Sequence, residues 1–232
     1  MTGPIVPLDA GDADLETVGG KGRSLVRLVG AGYPVPPGFV VATDAYRRFV
    51  ADHGLETRIL ELARPAVVNG TVSFEGASTA IGRLFEEANL PAEAVRVIGR
   101  AYDGLASGDG PAVAVRSSAN AEDLPEASFA GQQETFLNVR DAQAVAAAVK
   151  DCWASLWTPQ AMNYRHERGI DPGSVAMAVV VQVMVPAEVS GILFTANPAT
   201  GERGEMIVNA SFGLGEAVVG GEVTPDTFVI DR

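Results

Sequence analysis

The sequence has few of the residue types that form disulfides or hold transition metals: it contains one cysteine and two histidines. Cys152 cannot form an internal disulfide, and its neighbours Val149 and Trp153 predict packing inside a helix rather than nucleophilic chemistry. His53 and His166 lie in polar, helix-like sequence without ligand spacing, which predicts surface positions. We therefore predict no metal ligands and no catalytic side chains in this chain.

Basic residues are also scarce, because 17 Lys and Arg stand against 29 Asp and Glu, for a formal net charge of -12. A nucleic-acid or anionic-membrane surface needs clustered Lys and Arg, so neither partner is expected. The longest apolar run, residues 175–185, is interrupted by Gln182 and is too short to span a bilayer. The first residues have no basic or apolar segment of the kind found in signal peptides. These features predict a cytoplasmic protein.

The predicted secondary structure changes near Pro111, from mostly helical to mostly strand. Residues 1–110 are predicted to form a helix-rich lobe and residues 111–232 a β-rich part, together an α+β fold. Thr43 and Asp141 are predicted as helix N-caps. Helices are expected over residues 21–30, from 43, over 55–106 with breaks near 69–70 and 89–91, and over 141–168. Strands are expected over residues 34–42, 112–118, 134–139, 176–185, 191–195, 206–210 and 226–230.

Two cationic residues stand in sequence contexts suited to phosphate. Lys21 lies in the run Gly-Gly-Lys-Gly, where glycine allows close approach of the backbone, although Leu15 excludes a Walker A motif. Alone, this run is more simply a helix-entry turn with a solvated lysine. Arg116 ends an apolar strand and precedes two serines, so its guanidinium could bind an anion with the serine hydroxyls as extra donors. An ion pair with Glu122 or Asp123 is an equal alternative.

Two further segments could contact a nucleotide. Residues 127–135 combine small and hydrogen-bonding residues, with Gly131 permitting close approach and Thr135 supplying a hydroxyl. An ordinary long hairpin explains them equally well. Gln182 interrupts an apolar strand and needs a polar partner, which could be an adenine edge with Met184 packed on the ring. A core glutamine bonded within the protein is the alternative.

Taken in order, these segments resemble the phosphoenolpyruvate synthase and pyruvate phosphate dikinase family. The phrases that carry the resemblance are VGGKGRSL, PVPPGFVVATDAYRRF, AVRSSANAEDLPEASFAGQQETFLNV, CWASLWTPQAMNYR, VVVQVMVPAEVSGILFTANPATG and NASFGLGEAVVGGEVTPDTFVI. They cover nearly the whole chain. The rifampin phosphotransferases share this domain and are similar to the sequence about as well.

The resemblance implies an ATP-grasp-type nucleotide-binding domain, whose two lobes enclose ATP. Family members are transferases that split ATP into AMP and phosphate and pass one phosphoryl group to a histidine on a separate domain. That domain delivers it to pyruvate, rifampin or another acceptor. The residues that the resemblance assigns to ATP are Lys21 and Arg116 for the phosphates, Gly131 and Thr135 for the covering loop, and Gln182, Met184 and Val185 along the adenine.

The sequence also departs from the family pattern. Family members carry a later glutamate and a Gln-Ala-Arg-Pro phrase that hold Mg²⁺ and the triphosphate, and this chain has no such phrase. We therefore expect a domain truncated at its C-terminal end, weak nucleotide binding and no catalysis by the chain alone, because phosphoryl transfer needs the metal. Self-association through an uncovered sheet edge is a further expectation. A non-catalytic nucleotide-binding or interaction module derived from this domain is the alternative function.

Overall fold

The computed structural model describes residues 3–68, 70–105, 110–120 and 134–232 of the chain. The chain forms two compact units, Met1–Met184 and Val185–Arg232. Helices and antiparallel sheets occur together, which confirms the predicted α+β class. The lobe boundary between residues 110 and 111 stays a prediction. Within the described part of the chain, no helix is both long and apolar enough to cross a membrane.

The first unit contains most of the regular structure. Its elements in chain order are β1 (Ile5–Pro7), α1 (Leu15–Gly30), β2 (Gly38–Val41), α2 (Thr43–Asp52), α3 (Leu55–Leu62), β3 (Ala66–Val68), β4 (Thr71–Ser73), α4 (Glu75–Glu87), α5 (Ala92–Asp103), β5 (Val113–Ala119), β6 (Thr135–Val139), α6 (Ala142–Ser155), α7 (Pro159–Arg168) and β7 (Met177–Val183). Five of the strands form one antiparallel sheet in the order β1-β2-β7-β5-β6, while β3 and β4 form a separate hairpin.

The five-stranded sheet is covered by helices on both faces. Because side chains alternate along a strand, Val40, Ala178 and Val180 share one face and pack with Val18 and Val26 of α1. We call this the α1 face. The opposite face, which we call the α6 face, packs its apolar side chains against α6 and its neighbouring helices. Burial on both faces explains why β7 reads as an uninterrupted apolar run up to Gln182.

The core on the α6 face is rich in aromatic rings. Trp153 of α6 lies edge-on to Tyr46 and in a tilted contact with Phe49, which stacks on Phe85 of α4. Cys152 is fully buried beside Trp153, and burial raises the pKa of its thiol far above the usual value. The prediction that Cys152 is buried by packing within a helix is therefore confirmed. His53 and His166 are both exposed, as predicted.

The second unit is a small antiparallel sheet with one short helix. Its elements are β8 (Val189–Phe194), β9 (Glu205–Phe212), α8 (Gly215–Val219) and β10 (Asp226–Asp231). The strand order is β10-β9-β8, so β9 is central. The helix α8 packs against β8 and β9. All three strands overlap the predicted ones: β9 and β10 extend beyond the predicted bounds, and β8 begins two residues earlier and ends one residue earlier than predicted.

Four local predictions were wrong. The first helix begins at Leu15, before the glycine run, and Asp14 caps it by accepting a hydrogen bond from the Thr17 amide. Thr43 is not an N-cap but the first residue of α2, and its hydroxyl donates to the Glu16 carbonyl. The remaining two errors concern longer segments.

A β-hairpin and a helix break lie within segments that were predicted as helical. The hairpin β3–β4 is joined across the Asn-Gly sequence at residues 69–70, a pair typical of tight hairpin turns. The predicted helix over residues 141–168 is two helices, because Thr158 caps a new helix that starts with Pro159. Proline has no amide hydrogen to continue the preceding helix. The Asp141 cap is confirmed, since its side chain accepts from the Ala144 amide.

Candidate functional site

The glycine run around Lys21 interrupts α1. Gly19 has φ 68 and ψ 177, which is outside the helical region, so the helix is kinked there before Gly20, Lys21 and Gly22 continue it. A Cβ on Gly19 would lie 2.1 Å from the backbone oxygen of Ser118, so both the left-handed φ and the close approach require glycine. Lys21 therefore stands inside a kinked helix rather than in a helix-entry turn.

Ser118 connects this kink to the sheet. Its side chain accepts a hydrogen bond from the Gly22 amide at 3.1 Å and donates to the Val18 carbonyl at 2.9 Å. Val18 and Gly22 lie on the two sides of the kink at Gly19, so Ser118 bonds the helix backbone on both sides of it. Ser118 lies two residues beyond Arg116 on the same strand, a separation of about 7 Å. This contact therefore brings the backbone of Lys21 close to the strand that carries Arg116.

Arg116, Thr135 and Gln182 project from the same face of three adjacent strands. Arg116 pairs with Thr135 of β6 on one side and with Val180 of β7 on the other. Gln182 follows Val180 by two residues, and side chains two apart on a strand share a face. Since Val180 packs in the α1 core, all three polar residues lie on the α1 face. Each of them is only half-buried, unlike the fully buried Val180.

Gln182 is held by one hydrogen bond. Its Nε2 donates to the Pro36 carbonyl at 3.2 Å, so Oε1 remains an acceptor without a donor among the residues that the structure describes. The residue opposite is Gly38, where a Cβ would lie 2.5 Å from the Val181 oxygen. The position therefore requires glycine, because Leu8 and the Val181 carbonyl already fill the space of a side chain there.

Met184 is fixed at the end of β7. Its amide donates to the Ala112 carbonyl at 2.9 Å, and its sulfur accepts from the Asn138 amide at 3.0 Å. Asn138 has φ 55, and the pairing of β5 with β6 shifts register near this point. The sulfur therefore reaches across the start of β5 to the irregular end of β6. Met184 is half-buried, and because it lies two residues after Gln182 its side chain is on the same face of the sheet.

We call the half-buried residues Arg116, Thr135, Gln182 and Met184 the polar strip. Four of the seven site residues predicted from the sequence form it, and Lys21 lies in the kinked helix tied to it by Ser118. Val185 is the first residue of the second unit, and its side chain is exposed. Gly131 lies outside the described residues, as do Glu122 and Asp123, the carboxylates considered as ion-pair partners of Arg116.

The two serines after Arg116 use their hydroxyls within the protein, which does not support the alternative in which they add donors for an anion. Ser117 Oγ donates to the Glu134 carbonyl at 3.3 Å, and Ser118 Oγ donates to Val18. Both residues are buried. Their hydroxyl hydrogens are thus used within the protein, and the serines join strands and helix rather than adding donors for an anion.

The described residues contain no group of three His, Cys, Asp or Glu side chains that could hold a metal ion. The chemistry of the polar strip is instead that of recognition. It combines a guanidinium, a hydroxyl and an amide oxygen beside an apolar thioether, groups that suit an anionic ligand with a flat polar ring. None of the described carboxylates forms an ion pair with Arg116.

Sequence reasoning did not identify the roles of Ser118 and Asn138. Ser118 was noted only as part of a serine pair, and its partner Val18 is 100 residues away along the chain. The only local signal is a small polar residue at a buried strand position, which needs a partner. Asn138 carries a better signal, because asparagine tolerates positive φ and so marks the end of regular pairing.

The fold is that of an α+β domain that carries the polar strip on one face of an antiparallel sheet. Residues 15–232 match the family described as pyruvate phosphate dikinase, AMP/ATP-binding domain. The chain belongs to this family. Its α+β architecture is consistent with the ATP-grasp type expected for the domain.

Similar proteins carry the name phosphoenolpyruvate synthase. The chain is 47% identical over 222 residues to a probable phosphoenolpyruvate synthase of Methanocaldococcus jannaschii. This alignment covers 94% of this chain and 19% of that protein. It is 48% identical over 222 residues to the phosphoenolpyruvate synthase of Aeropyrum pernix, covering 94% of this chain and 27% of that protein. A probable phosphoenolpyruvate synthase of Archaeoglobus fulgidus is 47% identical over 226 residues, or 97% of this chain and 30% of that protein. The chain thus spans less than a third of these relatives.

Proposed function

We propose that this domain binds ATP as the nucleotide-binding part of a dikinase that makes phosphoenolpyruvate from pyruvate. One observation carries the proposal: the polar strip and the Lys21 kink occur together on the α1 face of one sheet. The match to an AMP/ATP-binding domain family supports the choice of nucleotide.

The phosphates bind to Lys21 and Arg116 in this proposal. Guanidinium and ammonium groups form charge-assisted hydrogen bonds with phosphate oxygens, and arginine can do so with two parallel bonds. Thr135, directly opposite Arg116 in the sheet, adds a hydroxyl donor. Gly131 belongs to the segment that covers the phosphates, where glycine allows backbone amides to approach.

In this proposal the adenine lies along Gln182 and Met184. The Oε1 atom of Gln182 is an acceptor, because its Nε2 already donates to Pro36. Adenine presents an amino group as donor at the edge where guanine presents an oxygen acceptor. An acceptor at Gln182 therefore favours ATP over GTP. The Met184 sulfur and side chain supply a soft apolar surface against the ring.

The chemistry that follows binding depends on other parts of a larger enzyme. ATP is split into AMP and phosphate, and one phosphoryl group passes to a histidine on a separate domain, which delivers it to the acceptor. We choose pyruvate rather than a rifampin-like acceptor because the relatives at 47% and 48% identity are named phosphoenolpyruvate synthases. Mg²⁺ bound to the phosphates would neutralise charge during this transfer.

Two measurements test the proposal. Calorimetry of the chain with ATP, AMP and GTP should give saturable binding of both adenine nucleotides and weaker binding of GTP. Absence of binding, or equal affinity for ATP and GTP, would contradict the assignment of the polar strip.

The reaction is tested with the product of the complete reading frame that encodes this chain. Incubation with ATP and pyruvate should release AMP and phosphate and form phosphoenolpyruvate, and the intermediate should carry acid-labile phosphate on histidine. If the protein binds nucleotide but forms no AMP with any acceptor tested, it is instead a non-catalytic nucleotide-binding module. Formation of AMP only with rifampin present would overturn the choice of pyruvate.

A further inference from the structure

A cavity in the first unit lies away from the polar strip, between α3, the end of β4 and α7. Its volume is about 360 Å³. The cavity lies beside the α6-face core and shares Phe74, Trp157 and Met162 with it. This volume is at the lower end of the range of about 300–1,000 Å³ that small-molecule sites occupy.

The cavity contains a buried cation, Arg165. Its side chain is nearly inaccessible, with 3% of the residue surface exposed. Nη2 donates to the Leu156 carbonyl at 2.6 Å, and the guanidinium lies 4.9 Å from the centre of the Trp157 ring. The Nε–H group is buried and has no acceptor among the described residues. Arginine offers five N–H donors, so one carbonyl and one aromatic face leave most of them unused.

No described carboxylate forms an ion pair with Arg165. Buried charges in proteins are normally paired, because removing an ion from water costs several kcal/mol. Burial lowers the pKa of Arg165 to about 10, with the Tyr46 hydroxyl acting in the opposite direction. The side chain therefore remains charged at neutral pH. An anion in the cavity would accept from donors of the buried guanidinium that no described residue uses.

The rest of the lining combines positive charge with apolar surface. Arg64 and His166 lie at the cavity, and Asp171 is its one carboxylate. Because the chain as a whole has a net charge of -12, a locally basic cavity is unusual in this molecule. The apolar walls are formed by Leu60, Phe74, Trp157, Met162 and Ile170. Such a lining suits a ligand with one anionic group and a compact apolar body.

We propose that this cavity binds a small monocarboxylate with an apolar body, with Arg165 as the anion-binding residue and Trp157 as a wall. The carboxylate takes the place of an ion-pair partner, which the described residues do not supply, and Arg64 adds attraction at the entrance, since it is exposed. The site is separate from the polar strip, so its occupation does not require nucleotide.

Benzoate is a suitable probe, and NMR gives a direct readout. The chain has two tryptophans, so two indole N–H signals are expected. Trp157 Nε1 donates to Tyr46 at 3.2 Å, and its ring contacts Arg165. Titration with sodium benzoate should move the Trp157 signal saturably, and it should move the fully buried Trp153 signal less. Benzamide has nearly the same shape without the charge and should bind at least about tenfold more weakly.

Variants separate a ligand site from a purely structural arginine. Arg64→Gln should weaken benzoate binding by about twofold to fivefold, as expected for an exposed charge. Arg58→Gln, on α3 and also exposed but outside the cavity, should leave the affinity unchanged. Arg165→Met should abolish binding where the protein still folds, and the Arg64 comparison decides the question where it does not. No saturable shift, equal binding of benzamide, or equal effects of Arg64→Gln and Arg58→Gln would overturn the proposal.

Discussion

Gly19 of α1 lies directly against Ser118 of β5, so close that a methyl group on Gly19 would lie 2.1 Å from the Ser118 carbonyl oxygen. The same serine bonds the helix on both sides of the kink, through the Val18 carbonyl and the Gly22 amide. The position of Lys21 beside the sheet therefore depends on a glycine and a serine that are 99 positions apart, counted from their numbers.

Replacing Gly19 should destabilise the first unit. Gly19→Ala combines a positive φ with overlap against backbone, so we expect a loss of about 2–5 kcal/mol in the free energy of unfolding. Gly82→Ala is the matched control, because a Cβ there would meet nothing within 4 Å inside α4. That change should stabilise the protein by about 0.5–1 kcal/mol. Urea unfolding measures the stability of both variants against wild type. A Gly19→Ala protein as stable as wild type would show that the kink can relax to accept a side chain.

Replacing Ser118 should weaken the connection between α1 and the sheet. Ser118→Ala removes two hydrogen bonds and leaves the buried Gly22 amide unpaired, which should cost about 1–3 kcal/mol. Ser24→Ala, at an exposed position of the same helix, should change stability by less than about 0.5 kcal/mol. Amide exchange at Gly22 gives a local readout. Unchanged protection of that amide in Ser118→Ala would contradict the assigned role.

Tyr46 should make stability depend on alkaline pH. Burial raises its pKa to about 12 from an unfolded value of 10.0, against the weaker opposing effect of the hydrogen bond from Trp157. The native state therefore keeps the proton between these values while the unfolded state loses it. The corresponding stability is fully present below pH 10 and is lost as pH rises towards 12. In Tyr46→Phe, the free energy of unfolding should fall less steeply with rising pH in this range, by up to about 1.4 kcal/mol per pH unit.

Urea unfolding at a series of pH values between 9 and 11 measures this slope. Tyr46→Phe should also lower the free energy of unfolding at neutral pH by about 1–3 kcal/mol, because Trp157 loses its acceptor. Tyr33→Phe is the matched control, since Tyr33 is exposed. Identical slopes for wild type and Tyr46→Phe would show that the buried hydroxyl does not govern the alkaline transition.

The sequence predicted the strands well because their patterns are local. The apolar run of β7, with Gln182 near its end, and the Asp141 cap of α6 both fall where expected. The β3–β4 hairpin was missed although Asn-Gly is its own signal, since three-residue strands are too short to show alternation. The break at Pro159 was likewise readable from proline and a threonine cap.

The candidate site was less predictable, because it is assembled by tertiary contacts. Arg116 and Gln182 could be proposed from unusual polar residues at strand positions. Their shared face depends on the pairing of β5 with β7, which joins residues more than 60 positions apart. The contact of Ser118 with Val18 spans 100 positions and has no local pattern. Resemblance to a family, rather than periodicity, supplied the roles assigned to Lys21 and Thr135.

Gln182 should determine preference for adenine. Gln182→Leu keeps the approximate size of the side chain but removes the Oε1 acceptor, so discrimination between ATP and GTP should fall by about tenfold. Met162→Leu, in the core away from the strip, should leave the ratio unchanged. Competition between the two nucleotides gives the ratio directly. An unchanged ratio in Gln182→Leu would mean that the amide is a structural group bonded to Pro36.

The central claim is that Arg116 binds the phosphates of ATP, and calorimetry on one set of variants tests it most directly. Arg116→Ala should reduce ATP affinity by at least about tenfold, because a charged hydrogen bond to phosphate contributes about 1.5–3 kcal/mol. Arg100→Ala, an exposed arginine on α5 away from the α1 face, and His53→Ala should retain wild-type affinity. Equal affinities for all four proteins would contradict the account and make Arg116 a structural residue of β5.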